Sequence, residues 1–188
     1  MSIPANAALV LIDIQQGFDD PARGPRNNPH AEGNAARLLD AWRARGGPIV
    51  HIQHHSIEPG SSLRPGQPGV EFKPEVAPLP GEPVISKHVN SAFIGTNLEA
   101  ILRERSIDTV VIAGLTTNHC VETTTRMAGN LGFRAILVED AAATFDRRGP
   151  DGTLWPAATI HAVTLANLND EFAEICTTDV VLQQMSGL

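Results

Sequence analysis

The chain has 188 residues, 42% hydrophobic and 19% charged, with 14 basic residues and a formal charge of −7. That balance is globular rather than disordered, lacks the basic cluster a nucleic-acid partner would need, and contains no apolar run of the ~18 residues that span a membrane. Two cysteines, Cys120 and Cys176, without a CxxC, exclude a disulfide framework, and no basic-then-apolar leader opens the chain, so a cytoplasmic location is expected.

Ala7–Ile12 is a short apolar run without alternation that ends in Asp13. Such a run suits a strand buried on both faces of a parallel sheet. The pattern returns at Pro48–Ile52, Pro83–Ser86, Thr109–Ala113 and Arg134–Val138, and more weakly at Phe172–Cys176. Between the runs the period lengthens. Ala36, Leu38, Leu39 and Trp42 mark one helix before Gly46-Gly47, and Leu98, Ile101 and Leu102 mark another, closed near Ser106. Cys120–Leu131, stopped at Gly132, and Ala158–Leu168 read as two more. Strand and helix alternating end to end predict an α/β fold, a three-layer α/β/α arrangement around a six-stranded parallel sheet, in one domain over residues 1–188.

Two segments break this rhythm. Pro59–Pro83 holds seven of the fourteen prolines, and Phe145–Gly152 is polar and glycine-containing. Long loops in compact domains are often functional, so each is a candidate lid.

In open parallel sheets, ligands bind beyond the carboxyl ends of the strands. Those ends carry Asp13 after the first strand, Lys87 after the third, and Gly114-Leu115-Thr116-Thr117-Asn118-His119-Cys120 after the fourth. Cys120 would open a helix among free backbone N–H groups, a setting that lowers a thiol pKa and can also bind an oxyanion. Together these demands describe a cysteine nucleophile acting on an acyl carbon.

Asp13 in Val10–Phe18, Lys87 in Ser86–Phe93, and Cys120 in Gly114–Val121, with Thr123–Ala128 and Val138–Ala141, make the chain resemble the isochorismatase-like cysteine hydrolases. The resemblance runs from Ala8 to about Phe172. It implies an Asp13–Lys87–Cys120 triad, a non-proline cis peptide at Leu115–Thr116, and an oxyanion hole from the backbone N–H groups of Thr116 and Cys120. It also implies a substrate pocket drawn from Gln16, Phe18, His55, Phe93, Leu115 and His119. The expected activity is hydrolysis of an amide, carbamoyl or ureido C–N bond of a small molecule through a thioester. Vinyl-ether hydrolysis of isochorismate type and a non-catalytic binding module are the competing readings.

His51, His54 and His55 follow the second strand. In the nicotinamidase branch of the family this region carries an Asp-x-His metal pair. Here His54 stands where the Asp is expected and Ser56 where the first His is expected, so no metal and no other cofactor is expected, and the histidines read as a hydrogen-bonded or substrate-facing cluster. His119, adjacent to Cys120 on a helix, would point about 100° away from it rather than pair with it. No GxGxxG follows a strand and no GxxxxGK[ST] occurs, which argues against nucleotide binding. The resemblance further implies a homodimer or homotetramer, with Val180–Leu182 among the candidate contact surfaces.

Overall fold

A computed structural model of the protein describes residues 2–186. Six strands form one parallel sheet: β1 (Ala8–Ile12), β2 (Ile49–His54), β3 (Val84–Lys87), β4 (Thr109–Leu115), β5 (Arg134–Ala143) and, after a short hairpin, β8 (Glu174–Cys176). The spatial order is β3-β2-β1-β4-β5-β8. The hairpin pairs β6 (Arg147–Arg148) with β7 (Leu154–Trp155). The described residues form five α-helices: α1 (Ala31–Ala44), α2 (Leu98–Glu104), α3 (Glu122–Asn130), α4 (Ala157–Leu168) and α5 (Thr178–Ser186). Among the described residues no helix is long and apolar enough to cross a membrane.

Alternation along the central strands divides the core. Ala8, Val10 and Ile12 of β1, with Val110 and Ile112 of β4, pack beneath Leu98 and Leu102 of α2, Ala128 of α3 and Leu168 of α4. Leu9 and Leu11, with Val111 and Ala113, face Leu38, Leu39 and Trp42 of α1 and Val181 of α5. The Trp42 indole N–H donates to the Ala7 carbonyl at 2.8 Å, which satisfies its one polar atom inside an apolar layer. β1 and β4 are buried along their whole length, which is why they read as unbroken apolar runs. β3 is different: it lies at the sheet edge with Val84 46% exposed, so its residues alternate between buried and exposed.

Helix α5 has no counterpart among the predicted elements. Its Val181 is fully buried in the layer with α1 and β5, while Val180 stays exposed. The chain also enters α3 by a π-helical turn, Thr117–Val121, with the Val121 N–H reaching back to the Thr116 carbonyl at 3.3 Å. Such turns occur frequently at functional sites.

Strand order reverses between β1 and β4, and the crevice above that pair is the fold's ligand position. Gly114 lets the two strands close there. Its φ is +135°, and a Cβ would lie 2.1 Å from the Ile12 carbonyl oxygen, so only glycine fits. The 59–83 segment between β2 and β3 contains only short 3₁₀ turns. It is tied to the body where Gly69 touches Gly17, and where buried Lys73 bridges Asp19 and Glu32.

Candidate active site

Asp13 is the first residue beyond β1, with φ +51° and no exposure. Non-glycine residues rarely occupy this region, and such strain concentrates at functional sites. It is held by the Asp13 N–H bond to the Ile52 carbonyl (3.0 Å) and by the Gln15 N–H bond to the Asp13 carbonyl (2.8 Å). Lys87 ends β3, is also buried, and its side chain extends to the switch point. Its Nζ donates to Asp13 Oδ2 at 2.6 Å, to Cys120 Sγ at 3.2 Å and to His54 Nδ1 at 3.1 Å. Cys120 comes from the π-helical turn. The structure therefore brings the three sequence-selected residues, from three separate strand ends, into one contact network, and adds His54. The Leu115–Thr116 bond is cis.

Electrostatics contradict one expectation. Burial, and secondarily the Asp13 carboxylate, push the Cys120 thiol up to about 12, against the opposing pull of Lys87. The lowered pKa expected at a helix start is outweighed because the sulfur is enclosed and faces an anion. Asp13 is also raised: burial outweighs Lys87. Its second oxygen, Oδ1, is buried without a hydrogen-bond partner. The resting cysteine is a neutral thiol beside a carboxyl group with one free acceptor.

A cavity of about 200 Å³ opens over this network. Its lining includes Asp13, Phe18, His54, Thr116, His119 and Cys120, together with Arg23, Ser61, Leu63, Asn90 and Arg147. It is smaller than the several hundred Å³ typical of drug-sized ligands, so it suits a compact molecule. Four sequence-selected pocket residues stand elsewhere. Gln16 is exposed and its amide donates to the Phe72 carbonyl, whereas its neighbour Gln15 is the buried one. The His55 ring contacts Gln53 and His88. Phe93 stacks on Phe133, centroids 5.9 Å apart, and Leu115 lies behind the wall in a cluster with Phe18 and Phe145. His119 bonds Arg147 rather than Cys120, at 3.1 Å.

Arg23 and Arg147 had no motif to mark them. Arg23 lies over the Phe18 ring, 4.4 Å from its centroid, and donates to the Gly17 carbonyl. Arg147 comes from the second candidate lid, and Ser61 and Leu63 from the first. Only that departure from strand–helix rhythm pointed to them.

The ligand-type atoms of Asp13, His54 and Cys120 lie within 4.8 Å of one another, a spacing compatible with a cation. Lys87 Nζ already sits among them and donates to all three. A metal ion would face that ammonium, so the donor set does not fit one.

The chain matches the Isochorismatase domain family over residues 7–180. It is 50% identical to the isochorismatase family protein YrdC of Bacillus subtilis, over 93% of this chain and 94% of that protein. Maleamate amidohydrolase of Pseudomonas putida is 30% identical over 96% and 87% of the two chains. A crystal structure described as a hydrolase of the isochorismatase family from Chromobacterium violaceum superposes with a TM-score of 0.96. That chain is 50% identical, with 100% of this chain and 99% of that chain covered. The strand order, the crevice and these likenesses agree: the chain belongs to the isochorismatase family of hydrolases.

Proposed function

We propose that the protein is a cysteine amidohydrolase that cleaves a C–N bond of a small amide, carbamoyl or ureido compound through a thioester on Cys120. The observation that carries this reading is the buried contact network in which Lys87 bonds both Asp13 and Cys120 while Asp13 Oδ1 has no partner. A 30%-identical relative named as an amidohydrolase supports the same class of chemistry.

As Cys120 Sγ attacks the substrate carbonyl carbon, its proton passes to Asp13 Oδ1. The raised pKa of Asp13 suits it to hold that proton. The backbone N–H groups of Thr116 and Cys120 bind the developing oxyanion. Collapse breaks the C–N bond, and Asp13 returns the proton to the departing nitrogen. Ammonia or an amine leaves, and a thioester remains. Water then attacks the thioester as Asp13 takes one of its protons. The acid departs, and Asp13 reprotonates the sulfur. Lys87 offsets negative charge that would otherwise gather on Asp13 and the sulfur in a dry site. A compact panel of amides, carbamates and ureas, followed by ammonia release, tests the reading. Release is expected for at least one member and lost in Cys120→Ser; release that persists in Cys120→Ser overturns it.

A further inference from the structure

A lysine ammonium has three N–H bonds to donate and no lone pair to accept with. Lys87 uses all three, on Asp13 Oδ2, Cys120 Sγ and His54 Nδ1. It follows that His54 accepts at Nδ1, and the proton of its neutral ring resides on Nε2. The backbone of His54 is fixed as well. Its N–H donates to Gln15 Oε1 at 2.9 Å, and its carbonyl accepts from Gln15 Nε2 at 3.1 Å. Gln15 is fully buried and also donates to the Val70 carbonyl at 2.7 Å, which anchors this clamp to the body.

His54 lines the cavity beside Asp13 and Cys120. Among the described residues nothing accepts from its Nε2, and that atom is not among those enclosed by protein. We propose that His54 is a specificity-determining residue whose Nε2–H is a fixed donor to an acceptor atom of the substrate next to the scissile amide. The sequence leaves His54 within a hydrogen-bonded or substrate-facing histidine cluster; its contacts here single it out and fix which ring nitrogen faces a ligand. Burial, with the Lys87 charge adding to it, holds the ring at about 4, so it stays neutral and neither takes nor gives a proton near pH 7. A substrate with a matching acceptor pairs this N–H. One without it leaves the donor unsatisfied as the site closes to water, a loss that discriminates more strongly than shape alone.

The substrate contact rests on the amidohydrolase reading, whereas the tautomer does not, so two measurements separate them. The first is ¹⁵N NMR of the labelled protein. The His54 ring is expected as the Nε2–H tautomer, unchanged from pH 5.5 to 8, and Lys87→Met is expected to mix the tautomers. An Nδ1–H ring, or titration near 6.5 in the unaltered protein, overturns the proposal. The second adds butanamide or 3-oxobutanamide, which differ by one carbonyl acceptor, to the Cys120→Ala protein. The His54 Nε2–H resonance is expected to move with 3-oxobutanamide and much less with butanamide. Equal shifts, or none with either, overturn the proposal whatever the turnover assays show. In the active protein His54→Ala should reduce any preference for 3-oxobutanamide at least tenfold in kcat/KM, and His54→Gln, which keeps an N–H, should retain part of it. If neither amide is hydrolysed by the unaltered protein while the resonance still responds, the amidohydrolase reading is the one in doubt.

Discussion

Lys87→Met removes one partner of an ion pair whose two side chains have no exposure. At an effective dielectric near 20, opposite charges at the 2.6 Å separation seen here attract by about 6 kcal/mol. Desolvation offsets much of that, but deleting one member leaves the other buried and uncompensated, which typically costs ~3–5 kcal/mol. Methionine keeps the volume, so packing loss adds little. The cost should depend on pH. Asp13 has a folded pKa raised by burial despite Lys87, and removing Lys87 raises it further. Below the unfolded value near 4 the carboxyl is protonated in folded and unfolded chains alike, and the pair contributes little. As pH rises through the folded pKa, the unaltered protein ionises Asp13 while the variant cannot without penalty, so the deficit grows. Urea unfolding at pH 4 and pH 7.5, with equal m-values, measures both deficits. Asp13→Asn added to Lys87→Met should recover part of the loss at pH 7.5. An equal loss at both pH values, or a loss under about 1 kcal/mol at pH 7.5, would refute the buried-pair argument.

Two further outcomes follow from the charged groups. With Cys120 pushed up to about 12, its thiolate fraction at pH 8 is about one part in ten thousand. Iodoacetamide should therefore label Cys120 about a thousandfold more slowly than a free thiol, as peptide mass mapping will show; rapid labelling would contradict the neutral resting thiol. Burial pushes Glu32 up, but Arg26 and Lys73 together outweigh it and hold the carboxyl at about 2. Because this folded pKa is depressed, Glu32 contributes stability above the unfolded value, about 3 kcal/mol, which is lost progressively as pH falls from about 4.5 to 2. Glu32→Gln should flatten the thermal midpoint over that range, and an unchanged acid slope would show that the cluster around Lys73 does not carry the effect.

The parallel sheet was legible because burial on both faces leaves apolar runs at β1, β4 and β5, and a run broken only by buried His51 at the start of β2. Helix α5 was not: among its described residues Val181 is the fully buried apolar one, beside the buried polar Thr178, which is too little to show an apolar period. Asp13, Lys87 and Cys120 could be found because a parallel sheet delivers strand ends to one edge, so three positions distant in sequence share one place. The rest of the pocket follows a different logic. Gln16 and Gln15 are adjacent, and only the turn after β1 decides that Gln15 enters the interior. Arg23 is positioned by the ring of Phe18, and Arg147 by a hairpin whose pairing no periodicity announces. The thiol misreading has the same origin: a helix start is visible in the chain, but the enclosure and the anion facing the sulfur are tertiary.

The central claim is that Cys120 forms a covalent acyl intermediate. Intact-mass analysis of acid-quenched protein after mixing with a turned-over amide, with and without hydroxylamine, tests it directly. The account predicts a mass increase equal to the acyl group, removed by hydroxylamine, absent in Cys120→Ser and present in Cys176→Ser. Continued ammonia release with no acyl adduct under burst conditions, or an adduct that survives Cys120→Ser, would contradict it.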